Sequence, residues 1–262
     1  PDGIWTYWNK KGDKDFDFDF GSSLEHISLE DLVERESTFF KLGEDNPFTG
    51  IITQENPETD YLFLGRTKNG KKDGQWVKWF PSGKDVPEII LVDVPTPEPD
   101  LPWSGGKQEQ GGYKEGKKHG EWTEWYDNEH IKSHGKYESG VMSGHWTFYH
   151  KNGIKEKEGS LENGNADGLW VFYDNESNKI QEGSFTDGIK EGQWTAWFED
   201  GRITEGYYLN GKKDAAWTSW WDYERTRKEM KGAYKNGKMV DKWFFYDKNG
   251  NLKEIRYFSP DF

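Results

Sequence analysis

The sequence lacks cysteine and has few apolar residues. The absence of cysteine excludes disulfide bridges and thiolate metal sites, and it leaves the redox compartment undetermined. Only 32% of the 262 residues are apolar and the mean hydropathy is -1.09, values typical of disordered chains. No run of about 18 apolar residues occurs, so no membrane-spanning helix is predicted. The chain begins at Pro1, and we expect this to be a processed or trimmed start.

The aromatic content argues against disorder. The chain holds 15 Trp, 13 Tyr and 16 Phe, too many for a solvated coil, so we expect a core built from large rings. The 48 acidic residues exceed the 35 basic ones and give a formal net charge of -13. This charge disfavours DNA, RNA and acidic membrane lipid as partners and favours a protein with a basic surface.

Tryptophan recurs with a period of about 24 residues, which predicts a repeat protein. The recurring residues are Trp76, Trp122, Trp146, Trp170, Trp194, Trp217 and Trp243. The first gap is one period too long and locates an insertion at residues 86–107. Ile52 occupies the tryptophan column of an earlier degenerate copy. We predict a partial repeat at 1–21, a leader module with a degenerate repeat at 22–64, and a repeat array at 65–262.

Each unit is predicted to be a β-hairpin, because strand-forming residues surround the tryptophan and glycine recurs at fixed positions. An opening glycine recurs as Gly65, Gly111, Gly135, Gly159, Gly183, Gly206 and Gly232. A second column, two residues before tryptophan, contains Gly74, Gly120, Gly144, Gly168 and Gly192. Glycines within strands should leave room for a neighbouring indole. Asn152-Gly153 and Asn249-Gly250 indicate two-residue turns.

Side chains alternate along a strand, so Trp122 and Trp125 should face opposite ways and both faces should carry aromatics. The predicted fold class is therefore all-β. We predict an elongated single-layer antiparallel sheet of stacked β-hairpin repeats.

The unit resembles the MORN-repeat variant that is common in bacterial proteins, many of them labelled antitoxins of toxin and antitoxin pairs. The stretches Asp31–Arg35, Phe39–Lys41 and Pro47–Gly50 are similar to a leader module that precedes the repeats in a bacterial subgroup. The resemblance implies a MORN-like fold and a non-enzymatic interaction scaffold. The chain departs from the pattern in the insertion, in the partial repeat before the leader, and at Ala215 and Asp241, which replace the second-column glycine.

Several short motifs suggest chemistry but have simpler interpretations. Gly116–Gly120, GKKHG, precedes a tryptophan-rich strand and not a helix, so no phosphate site is predicted, and its lysines and histidine look replaceable. Five histidines lie between 119 and 150, and we interpret them as surface residues and predict no metal site. KDFDFDFG at 14–21 predicts a half-buried strand in preference to a calcium loop. No catalytic motif or cofactor site is predicted, so we expect no enzyme.

Two segments leave alternatives open. SLEDLVERE offers Ser28 as the N-cap of a helical turn, whereas the family resemblance favours a hairpin within 31–42. The insertion at 86–107 combines a predicted strand with a polyproline-like segment, and it either docks a partner or covers a neighbouring face.

The predicted function is a non-enzymatic scaffold that binds another protein through an extended acidic, aromatic-rich β surface. An antitoxin or immunity protein that neutralises a basic toxin is a specialised alternative, and a toxin gene beside this one would favour it. A glycan or cell-wall binding module is the other alternative, because exposed rings stack on sugars. The partner contacts are predicted mainly in the column two residues after tryptophan; the candidates are Glu124, Phe148, Phe172, Trp221 and Phe245.

Overall fold

The computed structural model describes residues 4–8, 14–19, 24–55, 62–79 and 106–259, and these residues are almost entirely β-strands and turns. The described part of the chain contains no α-helix, and its single helical segment is a 3-10 turn at Leu29–Asp31. No helix in these residues is long and apolar enough to cross a membrane. The chain divides into two compact units, Pro1–Val141 and Met142–Phe262.

The first unit contains two small hairpins and one larger sheet. The strands of the first hairpin are β1 (Ile4–Trp8) and β2 (Lys14–Asp19). Strand β3 (Glu25–Ser28) comes next, and the second hairpin contains β4 (Leu32–Arg35) and β5 (Thr38–Lys41). The larger sheet continues from β3 through β6 (Gly50–Glu55), β7 (Leu62–Lys68), β8 (Lys71–Trp79), β9 (Lys107–Lys114), β10 (Lys117–Trp125) and β11 (Ile131–Glu138). The pair β3 and β6 is parallel, and the pairs from β6 to β11 are antiparallel.

The second unit is one run of antiparallel strands in sequence order. Its strands are β12 (Val141–Tyr149), β13 (Lys155–Glu162), β14 (Asn165–Tyr173), β15 (Lys179–Thr186), β16 (Ile189–Trp197), β17 (Ile203–Leu209), β18 (Lys212–Trp220), β19 (Lys228–Lys235), β20 (Lys238–Tyr246) and β21 (Leu252–Phe258). The predicted all-β class and the stacked hairpin repeats are confirmed. The domain limits at residues 21 and 64 stay a prediction.

Two kinds of turn alternate along the repeats. Two-residue turns end in glycine and have positive φ at both residues, as at Asn163 (51°) and Gly164 (83°), which is the type I′ geometry of tight hairpins. The other loops are longer: His150 and Ile154 bond backbone to backbone at 2.7 Å, and only Gly153 has positive φ. The prediction that Asn152-Gly153 and Asn249-Gly250 are two-residue turns is therefore wrong. A type I turn followed by a left-handed glycine explains the pattern.

The tryptophans of the repeat form the core. Trp122, Trp146, Trp194 and Trp243 are each at most 2% exposed. In every repeat for which the contact is described, a Cβ on the opening glycine would lie 2.0 to 2.5 Å from the indole, so the ring lies flat on the glycine backbone. The indole N–H of Trp194 donates to the carbonyl of Ser184 at 3.0 Å, and the bond recurs in the neighbouring repeats. The predicted use of these glycines is confirmed.

The second glycine column serves the backbone and not the indole. These glycines have φ between 71° and 80°, and a Cβ on Gly120 or Gly192 would meet no atom of the described residues within 4 Å. They lie where the strand register shifts, as between Gly183 and Ser184 opposite β16. Ala215 (φ 55°) and Asp241 (φ 58°) adopt the same left-handed conformation. Open space therefore permits a side chain in this column, at the cost of backbone strain.

The leader covers the first end of the described repeats. Leu32, Phe39 and Phe48 form a buried cluster with Ile52 and Trp76. Both SLEDLVERE interpretations hold, because the 3-10 turn is followed directly by the β4–β5 hairpin. However, within the described part of the chain Ser28 makes no side-chain capping bond.

Candidate interaction surfaces

The sheet presents two chemically different faces, which we name from the repeat. The tryptophan face carries the opening glycines, the core tryptophans and the residues two positions after each tryptophan. The opposite face carries the residues immediately before and after each tryptophan, because side chains alternate along a strand. The prediction that both faces carry aromatics holds in unit 2, where Trp243 and Phe244 are consecutive.

Aromatic rings continue the tryptophan face from strand to strand. In unit 2, Phe185 makes an edge contact with Trp194 at 5.0 Å, and Tyr208 contacts Trp194 at 5.9 Å and Trp217 at 5.3 Å. Tyr234 continues the series to Trp243 at 5.0 Å. Burial raises the pKa of Tyr208 and Tyr234 above the usual tyrosine range. The rings therefore form one ladder in an environment that disfavours charge.

Lysines cover this ladder, a role that the sequence analysis missed. The ammonium of Lys190 lies 3.8 Å from the ring centre of Trp194, and that of Lys213 lies 4.1 Å from the centre of Trp217. Lys118 is placed in the same way in unit 1, 3.9 Å from Trp122. Burial lowers the pKa of Lys190 and Lys213. Cation–π attraction and packing of the apolar stem both favour this position.

GKKHG is therefore only partly a turn. Its first glycine, Gly116, ends the type I′ turn, whereas Lys117 to Gly120 already belong to strand β10. Lys118 covers Trp122, so this lysine is not freely replaceable by a polar residue. The signal was available in the sequence: this loop position contains only lysine, methionine or alanine in the seven repeats.

A shallow cleft in unit 1 lies beside the rings of Trp76, Tyr113 and Trp122, where Tyr113 contacts both indoles edge to face. It is lined by Lys72, Trp76, Val77, Lys78, Glu109, Tyr113 and Trp122. The ammonium of Lys72 lies 4.4 Å from the Trp76 ring centre and 5.0 Å from that of Tyr113. Burial lowers the pKa of Lys72, and burial together with Glu109 raises the pKa of Tyr113. The chain's own lysine thus already occupies the aromatic corner of this cleft.

Two of the predicted contact residues lie together. Phe148 lies between Trp146 (5.8 Å) and Trp170 (6.3 Å), and Phe172 lies between Trp170 (6.3 Å) and Trp194 (6.3 Å). Both phenylalanines are half-buried on the tryptophan face. Each is held by two indoles, so their exposed edges have fixed positions on the sheet.

The other predicted contacts are separate from this pair. Phe245 lies six strands from Phe172, about 29 Å at the usual strand spacing. Trp221 lies in the loop after β18, where its buried indole N–H has no hydrogen-bond partner among the described residues. Glu124 belongs to unit 1, where its carboxylate lies 3.4 Å from Lys132 and 4.0 Å from Lys118. The predicted residues do not form one compact site.

On strand β21, Arg256 occupies the position that the opening glycine has in the earlier repeats. It pairs with Trp243, as Gly232 pairs with Trp217 in the preceding repeat. Its guanidinium lies 4.9 Å from the Phe245 ring centre and donates two 2.7 Å bonds to Glu254. In the earlier repeats an indole lies over the opening glycine, whereas on β21 the side chain of Arg256 fills this position.

The opposite face carries paired charges. Glu158 accepts a 2.8 Å bond from the Lys155 ammonium and a 3.0 Å bond from the Tyr173 hydroxyl, and these bonds lower its pKa. His145 lies 3.6 Å from the same carboxylate. Elsewhere, His134 contacts Thr123 at 2.9 Å and His150 contacts a backbone carbonyl. Within the described ranges, no three potential ligands are placed to hold a metal ion.

Two predictions fall wholly or partly outside the described residues. Residues 14–19 form β2 as predicted, but the burial of its side chains is not described. The insertion at 86–107 lies outside the described residues apart from Gly106 and Lys107.

These observations define a class: a β-hairpin repeat protein whose sheet is held by tryptophans lying on glycines. Two segments, residues 118–139 and 242–259, match the family model described as MORN repeat variant. Each match begins on a tryptophan strand and includes the strand after it, β10 with β11 and β20 with β21. The resemblance to this repeat is thereby confirmed, and the other repeats share its period and glycine columns. No curated protein matches the chain significantly.

Proposed function

We propose that the protein is a non-enzymatic repeat scaffold that binds another protein through the tryptophan face of unit 2. The observation that supports this is the fixed pair Phe148 and Phe172, half-exposed between three core indoles. Aromatic anchors that need no reordering lose little conformational entropy on binding, which is typical of interface hot spots. The same column contains Ala196 and Ser219 in other repeats, so the pair is not required by the fold.

We further propose a partner with a basic surface. Residues 1–64 contain 15 of the acidic residues and only 5 basic ones, whereas residues 65–262 contain 33 acidic and 30 basic residues. The negative charge is therefore concentrated before the repeat array. In the described leader, Glu34, Glu36 and Glu44 are exposed. This segment would attract a basic protein, with the aromatic pair supplying contact energy. An antitoxin that covers a basic toxin is the specialised form of this proposal.

The ring geometry favours a protein over a glycan. Sugar binding needs an open ring face, whereas Phe148 and Phe172 each lie between two indoles at interplanar angles of 24° to 36°, which leaves less of each ring face open. A glycan module is therefore the weaker proposal.

The test is recovery of partners from the native cell by the tagged full chain after cross-linking. We expect one basic protein, and we expect the double variant Phe148→Ala, Phe172→Ser to lower its recovery at least tenfold. The matched control is Phe198→Ser, an exposed phenylalanine in a loop of the same unit. Far-UV circular dichroism checks that all variants fold. Equal recovery by the wild type and the double variant would remove this surface from consideration.

A further inference from the structure

The opposite face changes character at the last strands of unit 2. A group of apolar residues, which we call the terminal patch, is concentrated there at positions that are mostly polar in the earlier repeats, with Leu169 and Val171 as exceptions; its members are Tyr207, Ala216, Ala233, Phe244, Ile255 and Tyr257. Tyr257 is 76% exposed, Tyr207 46% and Ile255 37%. Such a patch on a soluble sheet is typical of a contact surface.

Strand register fixes the shape of this patch. Ala216 pairs with Ala233, Phe244 pairs with Ile255, and Tyr257 lies opposite Lys242. Tyr207 and Tyr257 are on strands four apart, about 19 Å at the usual spacing. The small side chains of the two alanines therefore leave a shallow depression between the exposed tyrosines, and this depression is wide enough for one peptide segment.

The sign of the charge changes along one cross-strand row of the opposite face, the row of residues that directly precede the opening glycines. On β13 and β15 this row carries a glutamate that forms an ion pair with a lysine of the same strand: Glu158 with Lys155 at 2.8 Å and Glu182 with Lys179 at 2.6 Å. The same row has a lysine at position 231, directly opposite Phe244.

Two lysines flank the patch without a counter-charge. The ammonium groups of Lys231 and Lys242 each lie 5.0 Å from the ring centre of Phe244, and Lys242 lies 5.8 Å from that of Tyr257. Within the described residues neither lysine has an ion pair, in contrast to Lys155 and Lys179. The patch therefore combines apolar surface with two cations that are free to bind an anionic group.

We propose that the terminal patch binds a segment of another protein that presents carboxylates beside apolar side chains. Lys231 and Lys242 would pair with the carboxylates, and Tyr257, Ile255 and the two alanines would cover the apolar groups. A sugar fits less well, because none of the six patch residues carries an amide or carboxylate to bind hydroxyl groups. This surface lies on the other face from Phe148 and Phe172, so it stands apart from the proposed function.

The test uses the full chain and a fluorescein-labelled peptide of about 12 residues that alternates Glu and Leu, followed by fluorescence anisotropy. We expect saturable binding that weakens as salt rises from about 50 to about 300 mM. The double variant Lys231→Glu, Lys242→Glu should bind at least tenfold more weakly, and Tyr257→Ser about threefold to tenfold more weakly. The matched control Lys212→Glu, Lys228→Glu carries the same charge change at exposed positions away from the patch.

Three outcomes would overturn the proposal. The first is no binding of the acidic peptide while circular dichroism shows a folded chain. The second is equal or tighter binding of a peptide with Lys in place of Glu. The third is salt-dependent self-association that is lost in the Lys231→Glu, Lys242→Glu variant, which would make a second copy of the chain the occupant. Sedimentation velocity on the wild type and the variant distinguishes this last case.

Discussion

Replacing Gly183 by alanine should destabilise unit 2 far more than replacing Gly192 by alanine, although the two glycines lie on neighbouring strands of one repeat. A Cβ on Gly183 would lie 2.2 Å from Cδ2 of Trp194, whereas ordinary contact begins near 3.4 Å, so the indole must retreat by about 1.2 Å. That movement would break the 3.0 Å bond from the indole to Ser184. Overpacking at about 1 to 3 kcal/mol and a buried donor left unpaired at about 1 to 3 kcal/mol together give about 2 to 6 kcal/mol.

Gly192→Ala meets a different obstacle. Gly192 has φ 74° and an open space where the Cβ would be, so only left-handed strain opposes the change, about 1 kcal/mol. The assay is urea denaturation followed by far-UV circular dichroism, which compares the midpoints of the two variants with the wild type. Failure of Gly183→Ala to fold, while Gly192→Ala folds, also agrees with the reasoning.

A double-variant cycle tests the cause directly. With Trp194→Leu the large ring is removed, so the additional effect of Gly183→Ala should fall to below about 1 kcal/mol. The additional effect of Gly192→Ala should stay unchanged in that background. Equal midpoint shifts for the two glycines, or no coupling between Gly183 and Trp194, would refute the argument that the opening glycine exists to accommodate the indole.

Three further outcomes follow from the same geometry. Lys190→Met should keep the thermal midpoint within a few degrees, since methionine occupies this column in two repeats, whereas Lys190→Ser should lower stability by about 1 kcal/mol in denaturant titration. Ala215→Gly should stabilise by up to about 1 kcal/mol because it relieves left-handed strain, and Ala216→Gly, with no such strain, should not stabilise. The pKa of Glu158 is lowered in the folded state, so the contribution of its carboxylate to folding stability is present above the unfolded value of 4.5 and is lost as pH falls through the lower folded pKa. The difference in unfolding free energy between wild type and Glu158→Gln, measured by urea titration, should therefore narrow from pH 5 to pH 3 and stay constant above pH 6.

The repeat spacing predicted the strands and the core tryptophans. Each unit buries its indole on the glycine of a neighbouring strand, so this contact recurs with the period of the sequence repeat. The two glycine columns look alike in sequence, yet one makes room for a ring and the other adopts positive φ. Ala215 and Asp241 were the available clue, since a column that tolerates side chains cannot be filled by an indole. The open space seen beside Gly120 and Gly192 explains how this column accommodates a side chain.

Other features depended on contacts that spacing does not report. The parallel pair β3 and β6 is joined through the β4–β5 hairpin, and no local pattern distinguishes it from an antiparallel neighbour. The cover of Trp122 by Lys118 needs the strand register, because the two side chains meet only after the shift between His119 and Trp122 is known. Variation in one column selected Phe148, Phe172 and Phe245 as contact candidates, but spacing alone could not show that Phe245 and Trp221 lie apart from the other two.

The arginine in the last glycine column has a consequence for how such a chain can change length. Each opening glycine whose contact is described, from Gly65 to Gly232, offers the tryptophan of the next strand a bare backbone, so duplication or loss of one 24-residue unit inside this span would recreate that contact at the junction. A unit joined after β21 would instead have to place its tryptophan on Arg256. Recombination can therefore add or remove repeats between Gly65 and Gly232, whereas a junction directly after β21 would not recreate the contact between tryptophan and glycine.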